Sequence, residues 1–381
     1  MEKWIKSISG KIPYTNKIVN INLDGKNLIV TGANGTGKTS FLKAVYKKVS
    51  LLIASKEFSA LPQRTNQLNA LENGLQIDIP DKINFSSMYK ARKAVIQLFE
   101  EKRLSEIKQP TAAKAISVEE ENARKQIDQK FANNLEQHLV NLKSRQALAI
   151  TMNNDQILAS SIESWFVDFE NNLKILFEDE DIKLKFDPNR FHFSICQPNK
   201  PPYSFQTFSA GYRAIFDIYA ELIMRAEYFK VMPKNLTGVV FIDEIDSHLH
   251  VSLQRLILPF FTEAFPRIQF IVTTHSPFVL MSTPDTVVFD LAQNEPITED
   301  LSYYTYSAVM KGLWNVKPIS VKLENTIKEI AEIVNSVQKD FLRLRELIDN
   351  VKGHENALDN ESKAFYLLGL ETLEDSGGSH V

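Results

Sequence analysis

"NLIVTGANGTGKTS", residues 27–40, decides how this chain is read. "NLIVTG" is a short apolar run ending in glycine, the mark of a buried strand, and "SFLKAVYKKV" after the motif is helix-like. Between them, "GANGTGKT" (32–39) satisfies G-x-x-x-x-G-K-[ST] at every fixed position. Gly35 and Gly37 let backbone N–H groups converge on phosphate oxygens that a Cβ would crowd. Asn34, Gly35, Thr36, Gly37, Lys38, Thr39 and Ser40 are therefore the expected phosphate cradle. Lys38 reaches the β- and γ-phosphates and the Thr39 hydroxyl binds Mg2+. A chance glycine-rich turn is the alternative, and the flanking strand and helix argue against it.

A phosphate loop needs an acidic strand end beside it. "GVVFIDE" (238–244) supplies one: Asp243 is expected to hold magnesium through water, and Glu244 to orient or deprotonate an attacking water. Two acids after an apolar run also describe a strand meeting solvent; the phosphate loop favours the functional reading. "IQFIVTTH" (268–275) and "TVVFDL" (286–291) read as further buried strands, which together predict a mostly parallel sheet covered on both faces. "TTHSPF" (273–278) ends the first of these, and His275 by itself reads as a strand cap. With Lys38, Asp243 and Glu244 on neighbouring strand ends it becomes a candidate for contact with the γ-phosphate. "FSAGYRAIFDIYAELIMRAE" (208–227) has a Ser-x-Gly turn feeding a helix, which suits either a plain N-cap or a phosphate.

The remainder divides by composition. Residues 1–83 hold the phosphate loop and 181–300 the other motifs. Residues 84–180 are rich in Lys, Glu, Gln and Ala; "ARKAVIQLFEEKRLSEIK" and "EEENARKQIDQKFANNLEQHLVNLKSRQALA" predict two long helices, the second with "SVEEE" as its capped start, forming a hairpin or short coiled coil. "DIKLKFDPNRFHFSICQP" (181–198) alternates like a strand pair. Residues 301–381 are helical again through "VKLENTIKEIAEIVNSVQKDFLRLRELIDNV" and are expected to offer a partner surface, with the tail "EDSGGSHV" disordered. The fold class is thus α/β, a P-loop nucleotide-binding core with a helical insertion and a C-terminal helical region.

Bulk properties narrow the setting. The 44% hydrophobic content is ordinary for a chain with a real core. No apolar run approaches a membrane span, and "MEKWIKSISGKIPY" lacks the apolar stretch of a signal peptide. Cys196 is the single cysteine, which excludes an intrachain disulfide or a cysteine zinc site and fits a reducing cytoplasm. A net charge of −3 is no nucleic-acid signature.

The order of phosphate loop, "FSAG", "FIDEIDSHLH" and "TTHSP" resembles the ABC-type ATPase fold in its SMC-like branch. The resemblance implies ATP and Mg2+ as ligands and a homodimer with ATP at its interface. Ser209 and Gly211 would touch the γ-phosphate bound by the opposite subunit, Asp246 would be the aspartate of the D-loop, and His275 the switch histidine. Phe208, Ala210 and Tyr212 depart from the LSGGQ signature. Gln63, Gln67 and Gln76 compete for the Q-loop position, and His248 and His250 read as structural D-loop residues. "IDEIDSHLH" followed by "TTHSPFVL" looks most like OLD-type ATPases and their anti-phage relatives in Septu and retron systems. OLD proteins carry a nuclease with an Asp-x-Asp pair, and no such pair follows His275; Asp179-Glu180-Asp181 reads as a solvated turn. A separate effector, a nuclease or toxin, is expected, with DNA or RNA reached through it. Two other readings remain: an SMC-like ATPase of DNA repair or chromosomes, and an ATP-switched toxin using Arg343, Arg345, Glu346 and His354 against RNA, where an amphipathic helix is the competing explanation.

Overall fold

The computed structural model describes residues 3–13, 15, 17–54, 74–103, 106–115, 130–283, 286–316 and 319–377. Strands β1 (Ser7–Lys11) and β2 (Ile18–Asn22) pair antiparallel and lead into β3 (Asn27–Thr31), whose five residues are all buried. Helix α1 (Lys38–Ile53) follows the phosphate loop, and β4 (Leu75–Asp78) returns to the free edge of β1, giving a small sheet of order β2-β1-β4. Phe41, Leu42, Val45, Val49 and Ile53 of α1 join Ile8, Val19, Leu28 and Val239 in one buried cluster. These positions recur at three and four along α1, so one face of the helix is drawn into the core.

After α2 (Lys82–Lys90) comes β5 (Ala94–Phe99), then two long helices, α3 (Leu135–Thr151) and α4 (Gln156–Phe177). The hairpin β6 (Lys183–Asp187) and β7 (His192–Cys196) precedes α5 (Ala210–Tyr228) and β8 (Thr237–Ile242). Helix α6 (Val251–Ala264), β9 (Ile268–Thr273), α7 (Pro277–Leu280), β10 (Thr286–Asp290) and β11 (Glu295–Ile297) complete this part. The main sheet has the order β11-β10-β3-β9-β8-β5 and is parallel except for β11. The four expected strands therefore lie side by side, and the phosphate-loop strand sits between β10 and β9.

One expectation fails here. The helix predicted from Ala91 to Lys108 is instead the edge strand β5, paired in parallel with β8. Its core "AVIQLF" is a short β-branched and aromatic run, which periodicity cannot separate from a buried helix turn; the charged flanks tipped the reading the wrong way. Gly238 makes this pairing possible: its φ is 140°, and a Cβ there would lie 2.0 Å from the Val95 carbonyl oxygen. The second predicted helix is seen as α3, entered through a short turn at Ala132–Asn134, while its expected capped start at "SVEEE" lies outside the described residues. Its hairpin partner is α4, and the pair folds onto the protein, α4 packing against α6 and setting the Phe169 ring 5.9 Å from that of Tyr219 in α5.

Thr305–Val381 forms a second compact unit. It holds α8 (Tyr306–Trp314), α9 (Val321–Asn335), α10 (Phe341–Val351) and α11 (Asn360–Gly377). The long predicted helix breaks at Ser336, and Asp340 caps the next helix by accepting from the Arg343 amide. Ile327, Ile330, Leu344, Leu347, Ile348 and Tyr366 form its core. Arg343 is held by Glu329 at 2.7 Å, an ion pair that ties α9 to α10, and by Glu346 of its own helix at 2.8 Å. Helix α11 runs on through Gly377, into the tail expected to be disordered, and residues 378–381 lie outside the described set. Among the described residues no helix is long and apolar enough to cross a membrane.

Candidate functional site

The phosphate loop is a backbone device. Gly32, Gly35 and Gly37 all have positive φ, at 139°, 78° and 97°, values that turn successive peptide units and that other residues rarely adopt. Gly37 is also the residue before the first turn of α1, so the loop runs straight into a helix N-terminus and its partial positive charge. Lys38 folds back over this loop and donates to the carbonyl oxygens of Gly32 at 3.0 Å and Ala33 at 3.3 Å. It is buried, which lowers its pKa, while Glu244, Asp243, Asp246 and Asp290 pull the other way. A buried ammonium on two neutral carbonyls is poorly compensated, so phosphate oxygens would be better partners.

Three strand ends then converge. Asp243 follows β8 and is buried; its Oδ1 accepts from the Thr39 hydroxyl at 3.1 Å and the Thr273 hydroxyl at 2.7 Å. Thr273 in turn accepts from the Glu244 amide at 2.8 Å, locking the ends of β8 and β9 together. Thr39 and Asp243 suit magnesium: both offer hard oxygens, and their 3.1 Å contact sets the Thr39 hydroxyl beside a carboxylate that would reach the ion through water. Among the described residues no group of three or more His, Cys, Asp or Glu is placed to hold a metal, so such an ion would take its other ligands from phosphate and water, as magnesium does.

Glu244 has the left-handed φ of 45°, in the turn that follows β8. Burial raises the pKa of its carboxyl, and the charges of Glu101, Asp243 and Asp246 add to this against the pull of Lys38. A carboxyl raised above its ordinary range is a better proton acceptor near neutral pH. Thr274 donates a short hydrogen bond to Asp246 Oδ1, and the Ser276 amide donates to Thr274 at 2.9 Å. His275 stands between them in sequence, half-buried; burial and Lys38 lower its pKa, and Asp246 opposes them. A neutral imidazole there can donate or accept one hydrogen bond without adding charge.

Lys38, Thr39, Asp243, Glu244, Asp246 and His275 are thus brought into one cluster. Ser209 and Gly211 are placed elsewhere: among the described residues no hydrogen bond links them to it. Ser209 precedes α5 as an exposed residue whose hydroxyl makes no capping bond, so the plain N-cap explanation does not hold for its side chain. Gly211 packs against the D-loop turn, where a Cβ would meet the His248 carbonyl oxygen at 3.0 Å. The departures from LSGGQ have a packing cause: Phe208 lies 4.6 Å from the Phe216 ring and Tyr212 stacks at 4.3 Å on Phe177. His250 caps α6 by accepting from the Ser252 amide, in keeping with a structural role. Gln76 pairs within the small sheet opposite Ser9, and Gln63 and Gln67 lie outside the described residues.

The sequence reading missed Arg103. Its guanidinium donates to the carbonyl oxygens of Asp243 at 2.7 Å, Glu244 at 2.6 Å and Ile245 at 3.4 Å. Burial pushes its pKa down to about 10, still well above neutrality.

A family model described as "AAA domain, putative AbiEii toxin, Type IV TA system" matches residues 28–282. The retron Ec83 probable ATPase of Escherichia coli is 33% identical over 147 residues, 36% of this chain and 27% of that protein. The Septu protein PtuA of Bacillus mycoides is 36% identical over 111 residues, 29% of this chain and 15% of that protein. The Septu protein PtuA of Bacillus thuringiensis is 29% identical over 177 residues, 44% of this chain and 41% of that protein. The matches thus span less than half the length of each of these relatives. Among solved structures, an Smc head bound to the C-winged helix domain of ScpA aligns at a TM-score of 0.40 and 12% identity, covering 79% of this chain and 100% of that one.

Proposed function

The chain belongs to the family described as "AAA domain, putative AbiEii toxin, Type IV TA system", and we propose that it is an ATPase whose nucleotide state controls a separate effector in a bacterial anti-phage defence system. The observation that carries this is the shared oxygen at the centre of the cluster: Asp243 Oδ1 accepts from Thr39 of the phosphate loop and from Thr273, which fixes Glu244. In this reading the loop amides and Lys38 take the β- and γ-phosphates, Lys38 exchanging its two loop carbonyls for phosphate oxygens. Thr39 would hold magnesium directly and Asp243 would hold it through water, and the ion would neutralise phosphate charge. Glu244 accepts the proton of the water that attacks the γ-phosphorus, a contribution of roughly 10²–10⁴-fold for such a base. Neutral His275 hydrogen-bonds the terminal phosphate or that water. Ser209, with its hydroxyl free of capping duty and beside a helix N-terminus, takes the γ-phosphate held by a second copy of the chain, which makes the working form a homodimer.

The defence setting is supported by relatives named for retron and Septu systems. The effector would be a nuclease or toxin, docked on the helical surfaces of α3–α4 or of Thr305–Val381. The test is phage plating on cells carrying this gene with its native neighbours. Lys38→Ala and Glu244→Gln are each expected to raise plaque counts to those of cells lacking the system; full protection by both variants would contradict the reading.

A further inference from the structure

Arg103 is an expensive residue to bury. It is 6% exposed, and its Nε has no hydrogen-bond partner, so the guanidinium is not fully compensated. What it does contact is backbone: three successive carbonyls, of Asp243, Glu244 and Ile245, just where β8 has ended at Ile242. These carbonyls belong to the turn that contains Glu244 in its left-handed conformation, which persists only where surroundings enforce it. The amides of the same turn are fixed from the sheet, Asp243 to the Phe99 carbonyl at 2.8 Å and Ile245 to the Thr273 carbonyl at 3.0 Å. Arg103 fixes the opposite polarity, the carbonyls, from outside the sheet.

We propose that Arg103 is a positioning residue: its guanidinium sets the turn that aims Glu244. Arginine is suited to this task, since its planar fork spans several acceptors at once where an ammonium cannot. The proposal rests on Glu244 being the base of an ATPase.

The test compares equilibrium binding of a fluorescent ATP analogue, steady-state ATP turnover and melting temperature for the full chain and for Arg103→Lys, Arg103→Ala and Glu244→Gln. Nucleotide Kd is expected to stay within about threefold in the Arg103 variants while kcat falls at least tenfold, with partial recovery of Arg103→Ala in millimolar ethylguanidinium. Arg103→Lys turning over within twofold of the parent would overturn the proposal, as would a loss of kcat that merely tracks falling melting temperature and weakened binding without rescue. Loss of turnover in Glu244→Gln alongside normal Arg103 variants would refute the positioning role alone. Undiminished turnover in Glu244→Gln would instead remove the ATPase reading and the positioning role together.

Discussion

Glu244 gains its chemistry from its neighbours. Burial and the nearby Glu101 carboxylate raise its pKa, so the proposed base is half spent at a higher pH than an ordinary glutamate. The sign follows directly: as pH falls through that raised value the carboxyl takes up a proton and hydrolysis is lost. Because kcat/KM reports groups of the free enzyme, Glu101→Gln should move the acid limb of its pH profile to lower pH. Titration of ATP itself is common to parent and variant and drops out of the comparison. An acid limb unmoved by Glu101→Gln would mean that the carboxyl controlling it is not Glu244. At this scale most of the cluster was legible in the sequence. Lys38, Thr39, Asp243 and Glu244 sit in contiguous motifs, and His275 became readable once those motifs implied neighbouring strand ends. Arg103 was not legible, because its partners are carbonyl oxygens 140 or more residues away, and a carbonyl carries no residue-specific signal.

Among the elements, β5 shows where sequence reading stops. The motif strands β3, β8 and β9 announce themselves by ending in glycine, acids or histidine, whereas β5 is six apolar-rich residues between charged flanks. Only its partner decides its conformation, and that partner sets Gly238 opposite Val95. Gly238→Ala would drive a methyl group into the Val95 carbonyl at a φ of 140°, so the β5–β8 pairing must open. The expected cost is about 3 kcal/mol, read as a melting temperature lowered by several degrees. ATP turnover should fall with it, since Arg103 leaves the sheet from the end of β5. A melting temperature equal to the parent's would show that the pairing at Gly238 is not under this constraint. The hairpin α3–α4 was foreseen in kind and displaced in sequence. Its breaks at Asn153 and Asn154, the latter with a φ of 48°, are local turn chemistry that asparagine tolerates and that composition alone does not locate.

For the whole molecule, the proposed cycle joins two copies of one α/β core, each lending Ser209 to the nucleotide of the other. The unit Thr305–Val381 builds a core of its own from α9, α10 and α11. Arg343 and Glu346, which the sequence also offers as members of a cluster against RNA, are bound to each other, and Arg343 is bound to Glu329 as well, as an amphipathic helix pair would place them. Everything in the proposed control of an effector depends on ATP being bound at Lys38 and cleaved with Glu244 as base. Purified chain and Glu244→Gln should therefore be compared for ATP binding stoichiometry and for turnover under the same conditions. The account predicts full binding by both, with turnover in Glu244→Gln lower by roughly 10²–10⁴-fold. Turnover of Glu244→Gln at the parental rate, or no saturable ATP binding by the parent, would contradict it.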